Sequence, residues 1–148
     1  MTKLSLPENN IMINRFSVPL LETSTIDLAN VASNKIEPEK VLTNARILST
    51  YSDRILKDKE LWIFKGRIAC IKPSGSYKEF FQMDKSKIYE VNNNILAPGL
   101  IDPHMHIESS MMTGCAYAEA ALLNGTTTIF CDSHEIGNVC DTDGIEWM

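Results

Sequence analysis

Three histidines, His104, His106 and His134, fall within one short stretch of a 148-residue chain, with carboxylates close to each. The sharpest constellation is Asp102-Pro103-His104-Met105-His106-Ile107-Glu108. Side chains two apart on an extended strand point to the same side. His104 and His106 would therefore present two imidazoles to one point, and Glu108 would join them if the strand persists. Two neutral imidazoles suit a borderline divalent ion such as zinc, manganese or iron. The bland alternative is a chance His-x-His on a surface strand. The apolar run Ile95-Leu96-Ala97 and the Pro98-Gly99-Leu100-Ile101-Asp102 segment in front of it argue against that. Asp102 is a candidate partner for the second nitrogen of a ligand ring, because ligand imidazoles usually donate their other N–H to a carboxylate or carbonyl. Its alternative is a plain polar residue at a strand end.

The second constellation is Asp132-Ser133-His134-Glu135-Ile136-Gly137-Asn138. His134 and Glu135 are adjacent, so they diverge on an extended chain but can converge in a loop. A structural loop histidine is the competing reading. The H-E-x-x-H pattern of zinc proteases is not met, since position 138 is Asn138. His106-Ile107-Glu108 imitates the first half of the cytidine-type zinc deaminase signature, but no Pro-Cys-x-x-Cys follows. Neither Ser109 nor Ser110 sits in a G-x-S-x-G elbow, so both read as hydrogen-bonding residues. Met111 and Met112 read as core or pocket wall.

The elements that must position these groups are legible in outline. Thr25 to Ala32 forms a short helix capped by Ser24 or Thr25. Asn34 to Lys40, with Pro38, is a linker. Val41 to Leu48 is strand-like, Leu61 to Phe64 is apolar, Lys65-Gly66 is a tight turn and Arg67 to Ile71 returns as a strand. Pro73 to Gly75 breaks the chain. Ile88 to Val91 is a further strand, followed by the turn-rich Asn92-Asn93-Asn94. Together these predict a small antiparallel β unit. After Pro98-Gly99 the pattern becomes strand, helix, strand: Leu100 to His106, the Ala-rich Thr113 to Leu123, a glycine at the helix end in Gly125, then β-branched Thr126 to Phe130. That is one βαβ unit, which demands a parallel pair. Asp141 to Gly144 reads as the cap of a final helix. The histidines then follow or end predicted strands, which is the functional face of a parallel α/β barrel.

Composition narrows the function classes. Hydrophobic residues are 44% and charged residues 22% of the chain, ordinary for a globular protein. The net charge of −5, with lysines scattered among acids, argues against a nucleic-acid partner. No stretch resembles a secretory leader or a membrane span, so the cytoplasm is the expected compartment and no membrane association is expected. Cys70, Cys115, Cys131 and Cys140 contain no C-x-x-C pair. They are expected to be reduced, mostly buried thiols rather than a structural zinc site.

Leu96 to Asp102 followed by His104 and His106 resembles the first-strand signature of the amidohydrolase superfamily. The continuation His104-Met105-His106-Ile107-Glu108-Ser109-Ser110-Met111, then Gly125-Thr126-Thr127-Thr128, then His134-Glu135-Ile136-Gly137-Asn138-Val139, is similar to bacterial and archaeal adenine deaminases. The upstream Val41 to Leu48 and Lys65 to Ala69 resemble the β segment preceding the barrel there. Ser133 and Gly114 stand where that family often has proline.

The resemblance implies an α/β fold: the start of a (β/α)8 TIM-type barrel preceded by a small antiparallel β domain. The expected division is 1–37 irregular, 38–97 small β domain, and 98–148 the first two barrel strands. It implies hydrolytic deamination of adenine to hypoxanthine and ammonia, a purine substrate and a place in purine salvage. It implies His104 and His106 as metal ligands, with Glu108, His134 and Glu135 as further candidates and Asp102 behind them. Manganese is the expected ion, with iron and zinc as alternatives. In this reaction class the ion lowers the pKa of water for attack on the ring carbon bearing the amino group, and a carboxylate shuttles the proton. That carboxylate is expected beyond Met148, because a complete barrel needs about 250 residues. The barrel is thus expected to be incomplete here, residues 1–148 alone are expected to be inactive, and a homo-oligomer is expected for the full-length protein. The competing readings are another amidohydrolase acting on a cyclic amide or aminopurine, and a non-catalytic remnant that binds metal or a partner chain.

Overall fold

Strand β1 (Lys40–Ser49) buries every second residue, Val41, Thr43, Ala45 and Ile47. Alternation of this kind marks a strand, though the four residues do not all face one core. In the computed structural model of the chain, which describes residues 18–148, β1 is the centre of a five-stranded mixed sheet. Strands β2 (Arg54–Phe64) and β3 (Arg67–Pro73) follow it as an antiparallel meander. The β2–β3 turn is Lys65-Gly66, with φ of 50° and 67°. Positive φ at both central residues is what a two-residue hairpin turn requires.

The antiparallel expectation holds for these three strands and fails for the rest. Strand β4 (Ile88–Glu90) and strand β5 (Ile95–Leu96) both pair parallel to β1. The reason is topological. β3 runs in the same direction as β1, so a strand that joins β1's free edge in parallel after β3 must be preceded by a crossover back to the starting end. The crossover carries a short helix, α2 (Ser76–Phe80), and a 3-10 turn (Lys85–Lys87). Between β4 and β5, Asn92 and Asn93 adopt φ of 53° and 58°, the turn expected from the three asparagines.

Helix α1 (Leu21–Ala32) begins four residues before the expected start. The Ser24 and Thr25 hydroxyls do not cap it. They donate to the carbonyls of Leu20 and Leu21, one turn back, and so lie inside the helix. Its buried residues Ser24 and Val31 face the sheet. Lys65 and Lys72 hold it from below, through an ion pair to Asp27 at 2.6 Å and a bond to the Ala32 carbonyl at 2.7 Å. The portion 1–17 of the segment expected to be irregular lies outside the described residues.

The sheet carries two apolar clusters. Val41, Trp62, Val31 and Tyr77 form one, and Ala45, Ile47 and Leu61 the other. Val41 and Ala45 are both odd-numbered on one strand, yet they serve different clusters. The register explains it: Leu42 pairs Leu61 and Ala45 pairs Lys59, so Thr43 and Asn44 together oppose Glu60. This β-bulge, with Asn44 at φ 52°, shifts the alternation by one. Phe81 closes the first cluster, edge-on to Trp62 at 5.8 Å between centroids.

The chain divides into two compact units between Leu96 and Ala97. The second unit is the βαβ element. Strand β6 (Leu100–Met105) and strand β7 (Thr126–Cys131) pair in parallel, joined by helix α3 (Gly114–Leu123). Thr113 caps α3 by accepting the Ala116 N–H, and Gly125 leaves it at φ 87°. Helix α4 (His134–Trp147) starts seven residues earlier than the expected Asp141 cap. Asp141 is instead a kink within it, at φ 57° and ψ −151°. His134 and Glu135 are therefore the opening residues of a helix and not loop residues.

Two expectations about burial are corrected. Only Cys70 is half-buried, and the desolvation of that site pushes its thiol pKa up. Cys115, Cys131 and Cys140 are exposed. Met111 is also exposed, at φ 57°, where it ends the turn after β6. The cause is common to all four: within the second unit, only one helix packs on a two-stranded sheet, and apolar residues such as Ile101, Leu122 and Phe130 stay open too. None of the described helices is long and apolar enough to cross a membrane.

Gly99 is where this sheet is least tolerant. A Cβ built there would stand 2.7 Å from Thr127 Cβ and nearer still to that residue's Oγ1 and Cγ2. Gly99→Ala is expected to cost about 2 kcal/mol, in the range for overpacking. Urea denaturation checks it, with Gly99→Ala/Thr127→Gly, which removes all three clashing atoms, as the comparison; an unchanged midpoint for the single variant contradicts the contact.

Candidate metal centre

His104 lies on β6 and His106 one residue past its end, while Asp132 is the first residue after β7. All three thus emerge at the carboxyl ends of two parallel strands. Their donor atoms lie within 4.8 Å of one another. The His104 and His106 rings are 4.8 Å apart and nearly perpendicular, at 88°. The two-residue spacing brings the imidazoles together as the strand period requires. Pro103, between Asp102 and His104, cannot donate to the ladder, and the β6–β7 register slips between Asp102 and Met105.

Two of the rings have one nitrogen partnered, each in a different way. His106 Nδ1 lies 2.7 Å from the Asp132 backbone carbonyl. A carbonyl can only accept, so Nδ1 carries a proton, which in the neutral ring leaves the Nε2 lone pair for a metal. This is the orienting arrangement found behind metal-binding imidazoles. His134 Nδ1 lies 3.1 Å from Asp132 Oδ2, and its ring stands 4.8 Å from that of His106. Asp132 therefore touches both histidines, one through its backbone and one through its side chain.

The other residues singled out in the sequence are placed elsewhere. Asp102 Oδ1 accepts the backbone N–H of His104 at 3.2 Å and reaches no ring. Glu108 opens a 3-10 turn (Glu108–Ser110), and its Oε1 accepts the N–H groups of Glu135 at 3.2 Å and Ile136 at 3.4 Å. Its Oε2 is buried without a protein partner. Backbone hydrogen bonds, first from its own N–H and then from Ile136 and Glu135, hold the Glu108 carboxyl below the ordinary carboxylate range; nearby His106 adds to this, against desolvation. Glu135 Oε1 accepts the Ser109 hydroxyl at 2.7 Å. Neither glutamate joins the His104–His106–Asp132 group. Ser109 and Ser110 have the hydrogen-bonding roles expected, Ser110 on the Ile107 carbonyl.

Asp132 is the member that sequence reasoning passed over in favour of its neighbours His134 and Glu135. The available signal was positional. It immediately follows the second strand of a parallel pair, as His106 immediately follows the first.

The donor set fits a divalent ion. A first-row ion bonded at about 2.1 Å spans donors up to about 4.2 Å apart, so a small side-chain rotation closes the group. Two imidazoles and a carboxylate suit manganese, iron or zinc. An N–H bond to the Asp132 carbonyl already fixes one ring, so part of the ordering cost is met by the fold.

Similarity to known proteins agrees with the motifs. No family profile matches the chain. It is 62% identical over 136 residues, 92% of its length, to adenine deaminase 2 of Bradyrhizobium sp. (strain ORS 278). It is 60% identical over the same share to adenine deaminase of Chelativorans sp. (strain BNC1), and 40% identical over 123 residues to that of Kosmotoga olearia. The resemblance drawn from His104 to Met111 and His134 to Val139 thus extends over nearly the whole chain. The chain spans about a fifth of the length of these curated relatives, 22%, 22% and 20% in turn.

Proposed function

We propose that the second unit supplies part of a divalent-metal centre in a hydrolase acting on C–N bonds. The particular reaction is hydrolytic deamination of adenine, in which water replaces the exocyclic amino group to give hypoxanthine and ammonia. The observation that carries this reading is the convergence of His104, His106 and Asp132 at the ends of a parallel strand pair, in a chain so similar to adenine deaminases. His104 and His106 through their free ring nitrogens, and Asp132 through its carboxylate, would hold the ion. The chemistry such an ion supplies is activation of water at neutral pH for attack on the ring carbon bearing the amino group. His106 is oriented by the Asp132 carbonyl. His134, paired with Asp132, stands where it can hold a proton at its exposed ring nitrogen.

In the same reading β6–α3–β7–α4 is the opening of a (β/α)8 barrel, and manganese is the preferred ion. The support is the parallel pairing and the location of the polar cluster at the strands' carboxyl ends.

The test is adenine turnover by the full-length protein loaded in turn with manganese, iron and zinc. The expected result is hypoxanthine and ammonia in equal amounts, highest with manganese. Turnover of a cyclic amide with none of adenine would replace this reading by the broader amidohydrolase one.

A further inference from the structure

Helix α4 opens without a cap of its own: the Ser133 side chain makes no capping bond. The first N–H groups of a helix need acceptors. Here two of them, on Glu135 and Ile136, are met by Glu108 Oε1 from the turn that follows β6. The contact is reciprocal, since Ser109 of that turn donates to Glu135 Oε1. Ile107, buried, anchors the turn between them. So the residue two places after His106 seizes the helix that begins with His134.

We infer that Glu108 is a positioning residue, a cap supplied from another element that locks the start of α4, and with it His134 and Asp132, against the strand end carrying His104 and His106. This rests on the reading of His104 and His106 as metal ligands, and it assigns Glu108 outside the ligand set. Three cross-links then span the gap between the strand ends: His106 to the Asp132 carbonyl, the Asp132 N–H to the Met105 carbonyl at 2.9 Å, and Glu108 to α4. The first two hold the strand ends in register. The third, with the Ser109–Glu135 bond beside it, reaches the helix and so sets where the His134 ring meets Asp132. A carboxylate suits the task because it faces the positive end of a helix with two donors aimed at one oxygen.

The test compares Glu108→Ala with Glu108→Gln in the full-length protein, using cobalt(II) alone as the probe ion. Glutamine keeps an oxygen for the two N–H groups; alanine keeps nothing. Glu108→Ala is expected to bind cobalt about 10- to 100-fold more weakly, the usual loss when an outer partner of a metal site is removed. Glu108→Gln is expected to bind within about 3-fold of the parent, well short of that loss, with unchanged visible bands. Glutamine binding as weakly as alanine, with shifted bands, would make Glu108 a ligand and overturn the assignment.

Amide hydrogen exchange supplies an arm that needs no metal. Exchange at Glu135 and Ile136 is expected to rise at least about 10-fold in Glu108→Ala and to stay near the parent rate in Glu108→Gln. Unaltered exchange in the alanine variant overturns the clamp whatever the ion does. If the parent protein takes up no cobalt, the ligand reading fails, and the exchange result still decides the clamp. Should Glu108→Ala not fold, Ser109→Ala removes the other half of the contact. It is expected to raise exchange at Glu135 and Ile136 without altering the cobalt bands; no change there again overturns the clamp.

Discussion

Glu60→Ala is expected to destabilise the β unit by about 4 kcal/mol, a large share of the stability of a domain this size. Glu60 is fully buried on β2 and forms no ion pair among the described residues, since Lys72, opposite it on β3, turns its ammonium to the Ala32 carbonyl and Asn34. What holds it there is hydrogen bonding. Its Oε1 accepts the Trp62 indole N–H at 2.7 Å and the Tyr77 N–H at 2.8 Å. Its Oε2 accepts the Gly75 N–H at 2.7 Å and lies 3.4 Å from the Thr43 hydroxyl. Alanine would strand three donors away from water, each costing about 1–3 kcal/mol when left unpaired. It would also release the Gly75–Tyr77 segment, whose Tyr77 belongs to the Trp62 cluster. Glutamine is expected to cost about half as much, because its amide nitrogen would face one of those donors while its oxygen keeps the others. Urea denaturation followed by tryptophan fluorescence measures both, with exposed Glu79→Ala as the control that leaves the midpoint unchanged. A loss below about 1 kcal/mol for Glu60→Ala would mean that water replaces the carboxylate and that the buried network is dispensable.

Glu60 also marks the boundary of what could be read from the residues. A run such as Lys57-Asp58-Lys59-Glu60 is solvated surface by composition, so only the apolar end of β2, Leu61 to Phe64, was legible as a strand. The rest is a strand because β1 pairs along it and β3 joins on the other side at Lys59 and Glu60, a tertiary fact. The parallel entry of β4 and β5 was hidden for a related reason. Short apolar runs announce strands, but their direction depends on what the crossover does in space. Local signals fared better in the second unit. Thr113, the alanines of α3, Gly125 and the β-branched Thr126–Ile129 each say the same thing, and the βαβ element follows them closely. The failure there is α4, where Gly137 and Asn138 weaken the helical signal and Asp141 is a real break. The cap that starts α4 comes from Glu108, far away in sequence, so no local pattern could show it.

The same division applies to the candidate centre. His104 and His106 were legible because a two-residue spacing on a strand is a local geometric rule, and their rings do converge. Asp132 was not, because its partnership with them depends on β7 lying beside β6. Glu108 looked like a third ligand by extending the strand three residues too far. The strand ends at Met105, and the 3-10 turn rotates Glu108 toward α4.

His104→Ala and His106→Ala, made singly in the full-length protein, are each expected to weaken manganese or zinc binding by more than roughly 100-fold, beyond what loss of an outer partner costs. The measurement is metal content after dialysis against a graded series of chelator. Two further substitutions separate the parts that Asp132 plays. Asp132→Asn keeps the backbone carbonyl that orients His106 and removes the charged side-chain donor. If the carboxylate is a ligand, its loss should approach that of the histidines. If Asp132 serves only through its carbonyl, Asp132→Asn should bind metal as the parent does, and the donor set shrinks to the two imidazoles. His134→Ala removes the ring paired with the Asp132 carboxylate while sparing the three grouped donors. It is expected to lower affinity by no more than about 10- to 100-fold, as an outer partner would. Loss equal to that of His104→Ala would instead bring His134 into the ligand set, and the small displacement needed is available, since its ring already stands 4.8 Å from that of His106. Full retention of metal by both His104→Ala and His106→Ala would remove the basis for a metal centre on this strand pair.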